Sequence, residues 1–119
     1  MTKILLAEDD DSLRSFLTAA LKRAGHDVQS FEDGDGALTA LEREVFDLLL
    51  TDIQMPGIDG IELARRGAEL DPAMKIVFIT GFAAVALSNK ANTPAGAKIL
   101  SKPFHLRELV DEVERVMAA

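Results

Sequence analysis

The sequence predicts an α/β domain whose parallel sheet is covered by helices on both faces. Short apolar runs rich in Leu, Ile and Val alternate with longer segments in which apolar residues recur at helical spacing. Strands that are joined through helices lie parallel, and their right-handed crossovers place helices on both faces of the sheet. In addition, 48% of the 119 residues are hydrophobic, which is enough apolar material for one core.

The first half of the chain begins with a strand at Lys3–Ala7, whose unbroken apolar run predicts burial on both faces. A helix follows at residues 12–24, where apolar residues keep the helical period and Gly25 is a suitable stop. Residues 26–31 form a short strand with a more polar pattern, typical of a sheet edge. Asp35 can cap the next helix, which extends to about residue 43.

The second half of the chain continues the alternation of strands and helices. It contains three predicted strands, at residues 47–51, 75–80 and 98–101, and two predicted helices, at residues 61–70 and 103–117. Residues 81–97 begin like a helix, which four residues with low helix propensity end early: Asn89, Asn92, Pro94 and Gly96. We therefore interpret the chain as five strand-and-helix repeats.

The composition excludes several classes of function. A formal net charge of -7 repels nucleic-acid backbones and anionic membrane surfaces, so neither is an expected partner. The absence of cysteine excludes disulfides, thiolate metal sites and a thiol nucleophile. The start of the chain lacks a signal peptide's apolar run, and no stretch is long enough to span a membrane. We therefore expect one cytoplasmic domain over residues 1–119, with no output domain.

Acidic, hydroxyl and basic side chains follow the predicted strands. In an open parallel sheet, ligands bind beyond the carboxyl ends of the strands. The first strand delivers Glu8, Asp9 and Asp10 to that edge, the third delivers Asp52, the fourth Thr80 and the fifth Lys102. Neighbouring carboxylates repel each other unless a cation joins them, and Mg²⁺ prefers oxygen ligands. The sequence therefore predicts a Mg²⁺ site at this edge.

The same residues have the chemistry for phosphorylation of an aspartate. A positioned carboxylate is a competent nucleophile toward phosphorus. The transfer then mainly needs neutralisation of the phosphoryl oxygens, which Mg²⁺, Lys102 and Thr80 can supply. A plainer interpretation of the first acids is helix capping, worth about 1 kcal/mol. That alternative stays open for Asp10 and Asp11.

The motifs LLAEDD, LLLTDIQMPGIDGIEL, FITGF and SKPF closely resemble the response-regulator receiver domain of two-component signalling. The resemblance covers essentially the whole chain and implies a flavodoxin-like or CheY-like (βα)5 fold with strand order 2-1-3-4-5. It implies that Asp52 is the phosphoacceptor and that a histidine kinase or histidine phosphotransferase is the phosphodonor. It also implies that Glu8, Asp9 and Asp52 bind Mg²⁺, together with the backbone carbonyl of Gln54.

The resemblance assigns the residues that respond to the phosphate as well. It implies that Thr80 is the switch hydroxyl, that Lys102 pairs with the phosphoryl group, and that the Lys102–Pro103 peptide bond is cis. Ile99 departs from the receiver pattern, because the position three residues before the lysine is usually aromatic. The aromatic rotamer change that couples to the hydroxyl in other receivers therefore cannot operate here in its usual form.

Three longer segments, LLAEDDDSLRSFL, ITGFAAVAL and AKILSKPFHLRELVDEV, are similar to the CpdR type of single-domain regulator from alphaproteobacteria. This similarity implies that the unphosphorylated protein is an adaptor that primes the ClpXP protease for its substrates and so controls cell-cycle progression. The terminal Ala118 and Ala119 resemble the apolar carboxyl-terminal tags that ClpX recognises. Simple fraying of the last helix is the alternative explanation of that pair.

The segment after the fourth strand contains a cluster of apolar residues, Phe82, Val85 and Leu87. If the helix there is short, these side chains cannot all be buried against the sheet. Ordinary core packing and a partner-docking patch are both open interpretations, because exposed apolar clusters usually mark interfaces.

Two other functions remain open alongside the phosphorylated adaptor. A metal-dependent phosphatase of the haloacid dehalogenase kind also uses an aspartyl nucleophile and a lysine. It normally has a second aspartate two residues later, where this chain has Gln54. A degenerate receiver that binds partners without phosphorylation is the other alternative, and the complete set of acidic, hydroxyl and lysine positions argues against it.

Overall fold

The computed structural model of the chain describes residues 2–81, 97–102 and 104–118. Within them, five parallel strands form one sheet in the order β2-β1-β3-β4-β5, which confirms the predicted fold class and strand order. The strands are β1 (Lys3–Ala7), β2 (Asp27–Phe31), β3 (Leu48–Asp52), β4 (Lys75–Thr80) and β5 (Lys98–Ser101). The helices are α1 (Asp11–Arg23), α2 (Gly34–Arg43), α3 (Gly60–Leu70) and α4 (Leu106–Ala118).

The two faces of the sheet carry two separate hydrophobic clusters. Successive side chains of a strand point to opposite faces, so the unbroken apolar runs supply both clusters. In β1, for example, Ile4 and Leu6 pack with α1 and α4, whereas Leu5 and Ala7 pack with α2 and α3. The central strands are therefore covered on both sides, which holds their carboxyl ends at one edge.

Three helices begin at aspartate caps, one of which was wrongly predicted. The N-cap residues are Asp10, Asp33 and Asp59, and each accepts a hydrogen bond from a backbone N–H of the first turn. The sequence predicted Asp35 as the cap of α2, but Asp35 lies inside its first turn. Asp33 is the last residue with extended backbone before the helix, so only its carboxylate can accept the hydrogen bond from the N–H of Gly36, at 2.8 Å.

The other predicted boundaries of the described strands and helices agree with the structure to within one residue, except at the last helix. We expected that helix over residues 103–117, whereas α4 begins at Leu106. His105 lies just before it, and its backbone N–H donates to the carboxylate of Glu108 at 3.1 Å. Because a side chain three residues later accepts this hydrogen bond, the helix begins after His105 rather than at the proline.

The two edge strands are the least buried strands of the sheet. β2 pairs with β1 at one edge, as its polar pattern predicted. β5 pairs with β4 at the other edge, where Ile99 stands beside Phe78 in the register. Ile99 is 39% exposed, so the residue that replaces the usual aromatic side chain lies at the surface.

Several predicted features lie outside the described residues. They are the helix-like segment expected after the fourth strand, of which residues 82–96 are not described, the apolar cluster Phe82, Val85 and Leu87 within it, the Lys102–Pro103 bond and the terminal Ala119. Ala118 is exposed and ends α4. Among the residues that the structure describes, no helix is both long and apolar enough to cross a membrane.

Gly60 allows the start of α3 to approach the end of β3. A Cβ atom at this position would lie 1.9 Å from the backbone oxygen of Asp52, far inside van der Waals contact. The N–H of Gly60 donates to the carbonyl of Ile53 at 2.8 Å, which fixes the helix start against this turn. Any side chain at position 60 would therefore displace the backbone that carries Asp52.

We predict that Gly60→Ala lowers the free energy of unfolding by about 3 kcal/mol, the upper part of the range for overpacking, because the contacted atom belongs to the backbone. The matched control is Gly25→Ala. Gly25 has φ +99° but open space around it, so only backbone strain of about 1–2 kcal/mol is expected. Urea unfolding measures both losses, and amide NMR shifts should change near Asp52 in the Gly60 variant alone. Wild-type stability in Gly60→Ala would contradict the close approach.

Candidate functional site

Four chemically active side chains meet at the carboxyl edge of the sheet. Glu8 follows β1, Asp52 ends β3, Thr80 ends β4 and Lys102 follows β5. Parallel register brings these ends together, since Asp52 lies beside Ile79, and Thr80 lies beside Ser101. Glu8, Asp52 and Thr80 are all buried. The structure thus places these polar groups at the carboxyl ends of the strands.

Lys102 links two carboxylates that lie far apart in the sequence. Its Nζ atom is 3.1 Å from Oδ2 of Asp52 and 3.2 Å from Oε1 of Glu8. The backbone N–H of Lys102 donates to the carbonyl of Thr80 at 2.7 Å, which extends the β4–β5 pairing to the lysine. The side chain of Lys102 is only 27% exposed, so water screens these ion pairs less than surface pairs.

Glu8 is held in an environment that opposes its negative charge. Burial raises the pKa of its carboxyl from 4.5 to about 7, and the nearby charge of Asp52 adds to the increase. The hydrogen bond from the Asp10 N–H, at 3.1 Å, and the ammonium of Lys102 act in the opposite direction. A second cation at this edge would therefore favour the charged form of Glu8.

Lys102 is held in its charged form. Burial by itself lowers the pKa of this ammonium, but the hydrogen bonds and charges of Asp52 and Glu8 outweigh burial and raise the pKa above its ordinary value. The lysine is therefore a permanent positive charge at the edge where a negatively charged ligand would bind.

Three acidic side chains at this edge could hold a metal ion. One carboxylate oxygen each from Glu8, Asp9 and Asp52 lie within 4.8 Å of one another. Asp9 is exposed, whereas the other two residues are buried, so the cluster opens to solvent on the Asp9 side. An all-oxygen donor set with an open side suits Mg²⁺, which keeps several of its waters.

The described contacts do not test the roles predicted for Gln54 and Thr80. Gln54 is exposed, and its backbone N–H donates to Oδ1 of Asp52 at 3.3 Å. Its carbonyl, predicted to bind Mg²⁺, stays a prediction. Thr80 lies buried at the end of β4, and its role as a switch hydroxyl likewise stays a prediction.

Sequence reasoning missed three residues that shape the site. The hydroxyl of Thr51 donates to the carbonyl of Asp52 at 2.8 Å, and Gly60 makes the close approach to that same carbonyl. Arg14 donates through Nη1 to the carbonyl of Glu8 at 2.9 Å. For Arg14 a signal was present in the sequence, because a residue in the first turn of a helix can reach back to the preceding loop.

We predict that the metal-free protein loses stability as pH rises from about 4.5 to about 7. Folded Glu8 keeps its proton up to about pH 7, whereas the unfolded residue releases it near 4.5, so the folded state binds more protons in this interval. The loss should be on the order of 2 kcal/mol.

The measurement is denaturant unfolding with a chelator at pH 5 and pH 8. Glu8→Gln, which is uncharged at both pH values, should remove most of this pH dependence, while the exposed Asp9→Asn control should keep it. The prediction fails if Glu8→Gln and the wild type lose the same stability between the two pH values.

Comparison with known proteins gives consistent results. Residues 4–114 match the response regulator receiver domain family. The chain is 58% identical over 119 residues to the response regulator receiver protein CpdR of Brucella abortus (strain 2308), covering 100% of this chain and 99% of that protein. It is 36% identical over 113 residues to the response regulator protein FleR of Pseudomonas aeruginosa. The match covers 95% of this chain and 24% of FleR.

Solved structures agree with the sequence relatives. A response regulator receiver protein from Sinorhizobium medicae WSM419 has a TM-score of 0.91 and 34% identity, with 99% of this chain and 95% of that chain covered. The receiver domain of the hybrid histidine kinase CckA has a TM-score of 0.82 and 30% identity, with coverage of 96% and 97%. The family is one of signalling proteins. The chain therefore belongs to the response regulator receiver domain family, and it is similar over its full length to a CpdR protein.

Proposed function

We propose that this chain is a phosphorylation-controlled interaction module whose phosphoacceptor is Asp52. The observation that carries the proposal is the contact of Lys102 with both Asp52 and Glu8, beside the open carboxylate of Asp9. This arrangement combines a nucleophilic carboxylate, a fixed positive charge and a donor set for a cation at a single solvent-facing edge.

The proposed donor is a phosphohistidine of a histidine kinase or a histidine phosphotransferase. A carboxylate oxygen of Asp52 attacks the phosphorus atom, a P–O bond forms, and the P–N bond breaks with its electron pair leaving on the imidazole nitrogen. The imidazole then takes up a proton from solvent. The product is an acyl phosphate on Asp52, and the charge of Lys102 stabilises its phosphoryl oxygens.

Mg²⁺ fits the site because the donors of Glu8, Asp9 and Asp52 are all carboxylate oxygens. When bound, it would neutralise charge on the acids and on the phosphoryl group. We propose the carbonyl of Gln54 as a further ligand. Thr80 is proposed as the hydroxyl that follows the phosphate, because it ends the strand next to Asp52.

A phosphoryl group at this edge changes the local charge, and the proposed output is a change in partner affinity. The similarity to CpdR over the full length supports an adaptor for the ClpXP protease, active without phosphate and acting in control of the cell cycle. The proposed docking patch includes Phe82, Val85 and Leu87, with Ala118 and Ala119 as a degradation signal.

We predict that incubation with phosphoramidate and Mg²⁺ adds one phosphoryl group to the wild type, seen by intact mass spectrometry. Asp52→Ala should show no gain, because the nucleophile is missing, while the exposed Asp111→Ala in α4 should gain it like the wild type. Repeated turnover of an aryl phosphate would instead support the phosphatase. An unchanged wild-type mass would support the degenerate receiver and overturn the proposal.

We also predict that purified ClpX binds the unphosphorylated protein more tightly than the phosphorylated form, as calorimetry can measure. Leu87→Asp should weaken binding at least tenfold while the mass gain on Asp52 persists. Val45→Asp is the matched control. Val45 is 74% exposed, and it lies shortly before β3, at the amino ends of the strands rather than at their carboxyl ends. Equal affinity of both phosphorylation states would contradict the adaptor proposal.

The same reconstituted system tests the proposed degradation signal. A variant with aspartate in place of Ala118 and Ala119 should have a longer half-life with ClpXP and ATP than the wild type, because charge replaces the apolar end. Equal half-lives would remove this part of the proposal and leave simple helix fraying as the explanation.

A further inference from the structure

Arg14 connects the first turn of α1 with the loop that carries the acidic residues. Its Nη1 atom donates to the backbone carbonyl of Glu8 at 2.9 Å, and its Nη2 atom donates to Oδ1 of Asp11 at 2.6 Å. Its side chain is only 19% exposed, so it lies along the protein rather than in solvent. One planar guanidinium group thereby contacts both ends of the loop between β1 and α1.

The bond to the Glu8 carbonyl has a geometric consequence for Asp9. That carbonyl belongs to the peptide group between Glu8 and Asp9, which is planar. Fixing the direction of the carbonyl therefore fixes the rotation of the whole peptide group and limits where the Asp9 side chain can point. The N–H of Glu8 is also held, by the carbonyl of Phe31 at 3.0 Å.

The other end of the loop is held by the helix start. Asp10 caps α1 through the N–H of Leu13 at 2.9 Å, and its own N–H donates to the carboxylate of Glu8 at 3.1 Å. Asp9 lies between these anchors and is exposed. Among the described contacts of this loop, Arg14 makes the hydrogen bond to the carbonyl of the Glu8–Asp9 peptide. This bond comes from α1, outside the loop itself.

We infer that Arg14 is a positioning residue for the metal-binding carboxylates: it orients the Glu8–Asp9 peptide so that Asp9 faces Glu8 and Asp52 before a cation binds. The inference rests on the proposed function, because it explains how the proposed Mg²⁺ site is prepared. It separates Arg14 from an ordinary surface ion pair, since the contact with Asp11 alone, three residues earlier on the same helix, would have little effect.

The test compares Mg²⁺ affinity among variants, measured by calorimetry with Mg²⁺ alone as the ligand. Arg14→Met should weaken binding about tenfold, the lower end of the loss seen when a group that orients a metal ligand is removed. Arg14→Lys should weaken it less, because an ammonium can still donate to the Glu8 carbonyl. Arg23→Met removes one positive charge from the exposed last turn of α1 and should stay within about twofold of the wild type.

A second measurement does not depend on phosphorylation or on metal. In the metal-free protein, amide hydrogen exchange at Asp9 and Asp10 should be faster in Arg14→Met than in Arg23→Met, because the peptide is no longer held.

A third measurement is the phosphorylation rate at saturating Mg²⁺. For Arg14→Met this rate should return to within about twofold of the wild type, since the chemistry of Asp52 itself is unchanged.

The possible results are distinguishable. Wild-type Mg²⁺ affinity in a folded Arg14→Met, even with lower stability, would show a merely structural role and overturn the inference. If Arg14→Met fails to fold, the Mg²⁺ affinity of Arg14→Lys is compared with that of Arg23→Met. An affinity clearly below that of Arg23→Met supports the inference, and an equal affinity overturns it. If the wild type binds no Mg²⁺ and gains no phosphoryl group, the proposed function itself fails, whatever the variants do.

Discussion

The contact between the Lys102 ammonium and the carboxylates of Asp52 and Glu8 is the interaction on which the rest of the site depends. Two buried acids at one edge would otherwise repel each other, and the raised pKa of Glu8 shows that burial already opposes its charge. The ammonium of Lys102 offsets part of this repulsion. In turn, the two carboxylates raise the pKa of Lys102 and keep it charged. The lysine therefore compensates part of the negative charge of the two acids, and the remaining charge favours a further cation.

The fold makes this contact possible because it holds the carboxyl ends of the central strands β1 and β3 in fixed positions. Glu8 and Asp52 extend from strands that are buried on both faces, so their backbones have little freedom. Gly60 lets α3 start against the carbonyl of Asp52, and Gly34 lets α2 start where a Cβ would lie 2.2 Å from the carbonyl of Ile58. The loop between β3 and α3 is thus enclosed by two helix starts. At both positions the backbones are too close for a side chain larger than that of glycine.

Ile99 stands where the resemblance to receivers implies an aromatic side chain. It lies on the edge strand beside Phe78, and it is partly exposed. The expectation that an aromatic rotamer change cannot operate in its usual form at this position stays a prediction.

The sequence by itself determined the alternation of elements, and therefore the fold class, because apolar periodicity reports burial directly. Because the ends of parallel strands must share an edge, it was also enough to expect Asp52 and Lys102 close together, although their functional roles stay predictions. Only the tertiary structure decided that Asp33 rather than Asp35 caps α2, that Lys102 touches Glu8 as well as Asp52, and that Gly60 lies against the carbonyl of Asp52. Those features depend on distances between segments far apart in the chain, or on local backbone angles, which residue types and spacing do not encode.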